Sequence, residues 1–406
     1  MAYAFGLLSI GLTSDWHLIH EDNGALHTTL ALSHMKLGLR ATRAHDVFFN
    51  PHTGEALVYG HHPPLTALVL AGVFTLTGSD SPAVARMVPI AFHLGSICIM
   101  VFILSKFLSR GKALFGGFLM ATIPMSAYFG RMVNYEPLCL FAIVVELAGY
   151  VVFKRTGSKR GLVWLCFGIV LGGLIDWGSF FFAAAIAGLE AVDMLRRRAY
   201  SGTLLVASAT AAAAVFAFDI WHFSYAADGS LAAFREAFSH GPRTFTVMKF
   251  LGGQIDIFRR YYTHAGLVSV LIVVLSIVRP RLGISKGVFG VPGAGLVKNL
   301  LVVTGAAAGA YVVVTPTWAK IHMYWQFYFL PFVVVSMTLV WWSLWRKIAR
   351  TRSRAFTALA VIFIVEVVAT SAYMLHFRHT RPGSYAIEKT AELRATYLAP
   401  RHTKEN

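Results

Sequence analysis

From residue 83 onward the chain alternates between long apolar stretches and short polar joins. The apolar runs fall near 83–105, 113–129, 135–153, 161–176, 178–195, 202–221, 264–278, 299–316, 326–345 and 355–376. At a rise of 1.5 Å per residue, about 20 apolar residues cross a ~30 Å hydrocarbon layer, so these runs predict membrane-spanning helices. The ~10-residue alternating segments of a membrane β-barrel are absent from the sequence. Ala2 to Leu12 adds an incomplete run, expected to be the outer end of a first span lacking some N-terminal residues. The expected fold class is an all-α polytopic membrane protein with about 11 transmembrane helices.

The joins differ in character. One set, "KFLSRGK" (106–112), "KRTGSKR" (154–160), "RRR" (196–198), "RPRLGISKG" (279–287) and "RKIARTRSR" (346–354), is basic and contains no Asp or Glu. The other set is "GRMVNYEP" (130–137), "DWGS" (176–179), the long segment 222–263 and "TWAKIHMYW" (317–325). Cytoplasmic loops are enriched in Lys and Arg, so the first set is expected inside and the second outside. The remaining apolar stretch, 63–78, is too short to cross and starts at Pro63-Pro64, which suits a helix beginning at the interface. It is expected to be a non-spanning helix on the outer face, making 13–82 one extracytoplasmic loop. The predicted organisation is a membrane domain over 1–376 and an extracytoplasmic tail over 377–406.

Composition agrees. The 406 residues are 56% hydrophobic, with a mean hydropathy of +0.62. A net charge of +17 would point to nucleic acid in a soluble protein, but here the basic residues flank apolar runs and report topology instead. No nucleic-acid partner is therefore expected; membrane lipids are. Cys98, Cys139 and Cys166 lie inside apolar runs without metal-site spacing and are expected to be small buried hydrophobes. The opening residues lack the basic start and cleavage site of a cleavable signal peptide.

Candidate chemistry gathers in the outward joins. The first loop carries the adjacent carboxylates Glu21 and Asp22 and eight of the sixteen histidines. Gly24 to Leu39 is weakly amphipathic, and Asp22-Asn23 could cap such a helix. His20, His27 and His34 recur every seven residues, which predicts a polar stripe at the membrane interface; no HxxxH pair marks a zinc site. Arg131 and Glu136 sit where one span surfaces, with an ion pair or membrane anchor as the ordinary explanation. Asp176 and Asp219 lie at outer membrane ends, while Glu146 and Glu366 lie deeper and are expected to serve helix packing. In "KIHMYWQFYFLP" an aromatic belt accounts for Trp325, Phe327 and Tyr328, but fits Lys320 and His322 less well.

Taken together and in this order, five segments resemble the polyprenyl-phosphate-sugar-dependent glycosyltransferases of the GT-C fold, in particular the protein mannosyltransferase and aminoarabinose transferase group. They are "HEDNGALHTTLAL", "YGHHPPLTALVLAGVFTLTGSDSPAVARMVPI", "YFGRMVNYEPLCLF", "GGLIDWGSFF" and "HMYWQFYFLP", within about residues 15–345. The resemblance implies interfacial helices in the first outer loop, a polyprenyl-phosphate-sugar donor, and a lipid, glycan or protein acceptor. It also implies residence in the bacterial plasma (inner) membrane with the site facing outward.

For catalysis the resemblance implies Asp22 as the base, with Glu21 beside it and Glu136 as the acid of the second loop, where many relatives carry Asp. The residues expected to bind substrate are Arg131, His61, His62, Arg86, Lys320, His322 and Tyr324. In this scheme Asp22 deprotonates the acceptor hydroxyl while Arg131, with His61 or His62, neutralises the lipid phosphate, as a guanidinium fork suits phosphate oxygens. No cofactor is required. A divalent metal held by Glu21, Asp22 and Glu136 is an option. A transporter or lipid flippase is the principal alternative; it would favour charged residues along a central path and an inverted repeat, and no such repeat is visible. A ligase using a larger lipid-linked donor and a silent scaffold subunit are the others.

Overall fold

The computed structural model describes residues 1–49, 56–197, 202–232, 235, 246–281 and 283–398. Residues 233–234 and 236–245 of the expected loop 222–263, and the tail from 399 onward, lie outside the described residues. The chain opens with α1 (Ala2–Ser9) and a structured first loop: α2 (Asp22–Leu37), α3 (Leu39–Thr42), a hairpin and α4 (Leu65–Thr77). The hairpin pairs β1 (Val47–Phe49) antiparallel to β2 (Ala56–Val58), Val47 opposite Val58. There follow α5 (Pro82–Ser105), α6 (Arg110–Thr122), α7 (Pro124–Phe129), α8 (Tyr135–Thr156), α9 (Lys159–Gly173), α10 (Gly178–Arg197) and α11 (Thr203–Ala226). The last part comprises α12 (Val247–Val278), α13 (Gly283–Val288), α14 (Ala294–Val314), α15 (Pro316–Ile321), a 3-10 helix (Met323–Phe329), α16 (Leu330–Thr351), α17 (Arg354–Thr380) and α18 (Ser384–Leu398).

Among the described residues, eight helical elements are long and apolar enough to cross a membrane: α5, α8, α10, α11, α12, α14, the 3-10 helix with α16, and α17. The other expected spans are shorter helices. α1 has 8 residues and α9 has 15. The run 113–129 divides into α6 and α7 at Ile123, which is extended (φ −51°, ψ 132°) because the following Pro124 disfavours a helical predecessor. α4, at 13 residues, spans about 20 Å and cannot cross. It packs on α2 and α5 instead.

α8 and α9 form the tightest helix pair. A Cβ on Gly149 would lie 2.3 Å from the Leu165 nitrogen, and one on Gly168 would lie 2.5 Å from the Glu146 nitrogen. Only glycine lets these backbones meet, which is how membrane helices gain contact without a hydrophobic drive. Glu146 is buried there in α8. α12 breaks at Thr263 (φ 68°, ψ 166°), freeing backbone N–H groups inside an apolar bundle. Glu366 of α17 accepts from His264 N at 2.6 Å and Ala265 N at 2.8 Å, so this carboxylate caps a half-helix beyond simply packing.

The basic joins share one end of the bundle. Arg155 lies over the Phe107 ring, Lys112 over Trp342, and Arg346 donates to the Gly290 carbonyl at 3.2 Å. The acidic and His-rich joins meet at the opposite end. Of the cysteines, Cys139 is buried as expected. Cys98 is exposed on α5 and Cys166 is half-buried on α9, because their faces of those helices point away from the bundle.

Candidate active site

Two segments build the polar end of the molecule. The first, His20 to His27, enters from a turn in which Glu21 N bonds to the Leu18 carbonyl and His20 takes a left-handed φ of 65°. The second, Arg131 to Glu136, joins α7 to α8. Each sends side chains to two places.

One place is a buried ion cluster. Glu21 accepts from Arg86 Nη2 at 2.9 Å and Arg131 Nη2 at 3.2 Å, and Arg378 Nη2 lies 3.9 Å away. Other guanidinium donors hold backbone: Arg86 bonds the Leu12 (2.8 Å) and Ser14 carbonyls, Arg131 the Ile10 carbonyl, and Arg378 the Tyr128 carbonyl. Trp16 packs under Arg86, its ring 4.3 Å from the guanidinium carbon. Three guanidiniums thus face one carboxylate and tie the segment before α2 to α5, α7 and α17. The C-terminal segment adds Gly383 N to the His17 carbonyl (2.9 Å) and Thr390 Oγ1 to the Trp16 carbonyl (3.1 Å).

The other place is a cavity of about 370 Å³. Asn23, Leu26 and His27 of α2 form one wall, and Tyr59, His61 and His62 the next. Asn134, Tyr135 and Glu136 start α8, Trp177 and Phe181 flank α10, and the end of α14 with His322, Tyr324 and Trp325 completes the enclosure. His27 Nε2 pairs with Asn134 Oδ1 at 2.8 Å, and the Tyr324 hydroxyl with His322 Nδ1 at 2.7 Å. His62 Nδ1 lies 2.8 Å from Asp176 Oδ1, and the His62 ring stacks on Tyr135 with centroids 4.1 Å apart. Asp176 also accepts from Trp177 N at 2.8 Å and from the Tyr328 hydroxyl. A Cβ on Gly178 would strike the Tyr328 ring at 2.4 Å, so the glycine of "DWGS" makes room for that contact. Glu136 is 3% exposed, with one carboxylate oxygen unpartnered.

The expected site residues therefore divide. His61, His62, Glu136, His322 and Tyr324 line the cavity. Glu21, Arg86 and Arg131 form the ion cluster, turned toward one another and toward backbone carbonyls. Lys320 is exposed on α15 and does not line the cavity. Asp22, the expected base, opens α2 without making a capping bond and does not line the cavity; burial pushes its carboxyl above the usual range. Glu21 rather than Asp22 occupies the position before the helix, which corrects the capping expectation. Glu21 is sequestered by arginines, and among the described residues no group of three or more His, Cys, Asp and Glu is set to hold a metal ion.

Two further expectations change. His27 and His34 face the protein interior, not the membrane interface: His34 bonds Thr42 at 3.0 Å and Asp46 at 3.1 Å. The belt aromatics are internal too. Phe327 and Tyr328 are fully buried, and Trp325 stacks on Tyr311 at 5.0 Å. The causes differ: His34 is enclosed by the first loop's own residues, whereas Phe327 and Tyr328 are enclosed by bundle residues, His93 beside one and Asp176 and Tyr311 beside the other. Asp176 was recognisable as an acid at a membrane end. Its coupling to His62 was not, nor was that of Arg378 to Glu21.

A helical bundle with a helical first loop folded over one end, enclosing a polar cavity, is the GT-C architecture of membrane glycosyltransferases. The chain is similar to the crystal structure of ArnT from Cupriavidus metallidurans bound to undecaprenyl phosphate, an aminoarabinose transferase, with a TM-score of 0.60 and 13% identity over 98% of this chain and 74% of that one. The apo form of ArnT gives a TM-score of 0.57 at 14% identity. The Archaeoglobus fulgidus oligosaccharyltransferase tethered to an acceptor peptide gives 0.55 at 12% identity, over 94% of this chain and 55% of that one. The chain thus spans about half the length of the archaeal enzyme. No family model and no curated protein matches the sequence. The fold expected from the resemblance is the fold observed.

Proposed function

We propose that this protein is a membrane glycosyltransferase that moves a sugar from a polyprenyl-phosphate donor to a hydroxyl acceptor on the extracytoplasmic face. The observation that carries the reading is a junction. An open apolar groove of about 920 Å³ runs between α10 and α11, lined by Phe180, Ala184, Ala187, Ala212, Ala213 and Phe216 among others. Trp177 and Phe181 line both this groove and the 370 Å³ polar cavity. A lipid-linked sugar needs such a pair: an apolar trough for the isoprenoid and a polar chamber for the glycosyl group. The small Ala side chains give the trough its width.

The ion cluster supports an anionic donor. Three guanidiniums against one carboxylate leave excess positive charge behind Met132 and Val133, which lead to Asn134 of the cavity wall, and this favours a phosphate leaving group through space. The undecaprenyl phosphate seen in ArnT fits the same donor class. The basic joins support the extracytoplasmic reading: they occupy the end opposite the cavity, and the positive-inside rule favours a cytoplasmic place for them. Membranes containing the protein should transfer a radiolabelled sugar from a polyprenyl-phosphate donor pool to an extractable acceptor. Failure across pentose, hexose and hexosamine donors would overturn the transferase and favour a transporter.

A further inference from the structure

We propose that His62, held by Asp176, takes the proton from the acceptor hydroxyl. This rests on the transferase reading above and names the base within it. His62 Nδ1 is 2.8 Å from Asp176 Oδ1. An ionised carboxylate only accepts, so Nδ1 carries the hydrogen and donates it, leaving the lone pair on Nε2. His62 lines the cavity, and Nε2 makes no hydrogen bond among the described residues. The ring cannot readily turn: it is stacked on Tyr135 at an interplanar angle of 22°, and Asp176 is itself fixed by Trp177 N and the Tyr328 hydroxyl. A carboxylate orienting an imidazole whose other nitrogen faces a reaction chamber is the logic of acid–base dyads on unrelated folds.

The other candidates at the cavity are worse placed. Asp22 is not part of its lining. His27 Nε2 is spent on Asn134 and His322 Nδ1 on Tyr324, and burial lowers both imidazoles to about 4. The unpartnered oxygen of Glu136 is buried in the wall and not open to the cavity, unlike His62 Nε2.

In the step, the acceptor O–H proton passes to Nε2 as the oxygen forms a bond to the anomeric carbon. The bond from that carbon to the phosphate oxygen breaks, and its electron pair leaves with polyprenyl phosphate. The imidazolium then releases its proton to water. Asp176 is a positioning residue: it touches His62, not the substrate.

The test uses the full chain in lipid nanodiscs with a radiolabelled donor that the wild type accepts. His62→Gln and His62→Ala should each lower kcat by about 10²–10⁴-fold with donor KM changed less than about threefold. Added imidazole should restore part of the His62→Ala turnover, which a merely structural role would not allow. Asp176→Asn should lower kcat in the same sense, again with little change in KM. A His62→Gln kcat within about threefold of wild type, a loss confined to KM, or no rescue of His62→Ala would each overturn the assignment. Loss of turnover in Asp22→Asn with His62→Gln near normal would return the role to Asp22. A folded wild type that transfers sugar from no donor removes the transferase reading, and this inference with it.

Discussion

The Glu21 carboxylate receives an Arg86 N–H at 2.9 Å, with both side chains almost wholly enclosed. Arg131 and Arg378 converge on the same oxygen, so Glu21 is the counter-charge for a buried cationic knot. Removing one partner of a buried ion pair typically costs 3–5 kcal/mol, because the other charges stay behind. Glu21→Gln should therefore lower the thermal midpoint of the detergent-purified protein and reduce its monodisperse yield. An unchanged midpoint with lost turnover would make Glu21 a purely catalytic group.

The break in α12 gives a second expectation. Glu366 satisfies two N–H groups released at Thr263, and losing a cap costs about 0.5–2 kcal/mol. Glu366→Ala should destabilise by about that amount in reversible unfolding and raise hydrogen exchange at His264 and Ala265. Unaltered exchange there would argue that the carboxylate contributes nothing to the half-helix.

Filling the apolar groove should separate tail binding from chemistry. Ala184→Phe and Ala213→Phe project into the trough between α10 and α11. Donor KM should rise about tenfold for a long isoprenoid, equivalent to ~1.4 kcal/mol, and stay level for a short-chain donor. Equal losses on both donors would place the tail elsewhere.

Acid should unfold this protein early. Burial lowers His20, His27 and His322 to about 4 and His45 to about 3, from an ordinary 6.5. Each binds its proton more readily unfolded, so its contribution is whole above pH 6.5 and is lost as pH falls through 6.5 toward 4. Asp46, raised to about 6 by burial, acts oppositely: its contribution is present below its ordinary 3.8 and lost as pH climbs through 6. Asp22, also raised by burial, acts in the same sense as Asp46, but four imidazoles outweigh two carboxyls, so the thermal midpoint should drop between pH 6.5 and 4. His45→Phe, which keeps a ring against Phe223, should make that slope shallower; an identical slope would discount His45.

How much of this could be read in advance depended on range. Spans and their sidedness rest on local composition, and "KFLSRGK" or "RKIARTRSR" announces itself without neighbours. α4 was legible because its length alone forbids crossing. The pairings of the polar end are another matter. His62 with Asp176 and Glu21 with Arg378 join distant positions, and no local pattern says which acid meets which base. Surface rules fail for the same reason: Tyr328 resembles a belt aromatic until Asp176, Gly178 and Tyr311 are known to enclose it.

The clasp between the segment before α2 and the segment from α17 to α18 also dictates an order of assembly. Glu21 is synthesised before α5 to α16, whereas Arg378, Gly383 and Thr390 emerge only after those helices. Until then the segment before α2 lacks its last anchors, so a ribosome-bound nascent chain holds an unfinished chamber. Premature termination before Arg378 would leave a membrane-inserted but unlatched protein, exposing a carboxylate and two guanidiniums to quality-control proteases.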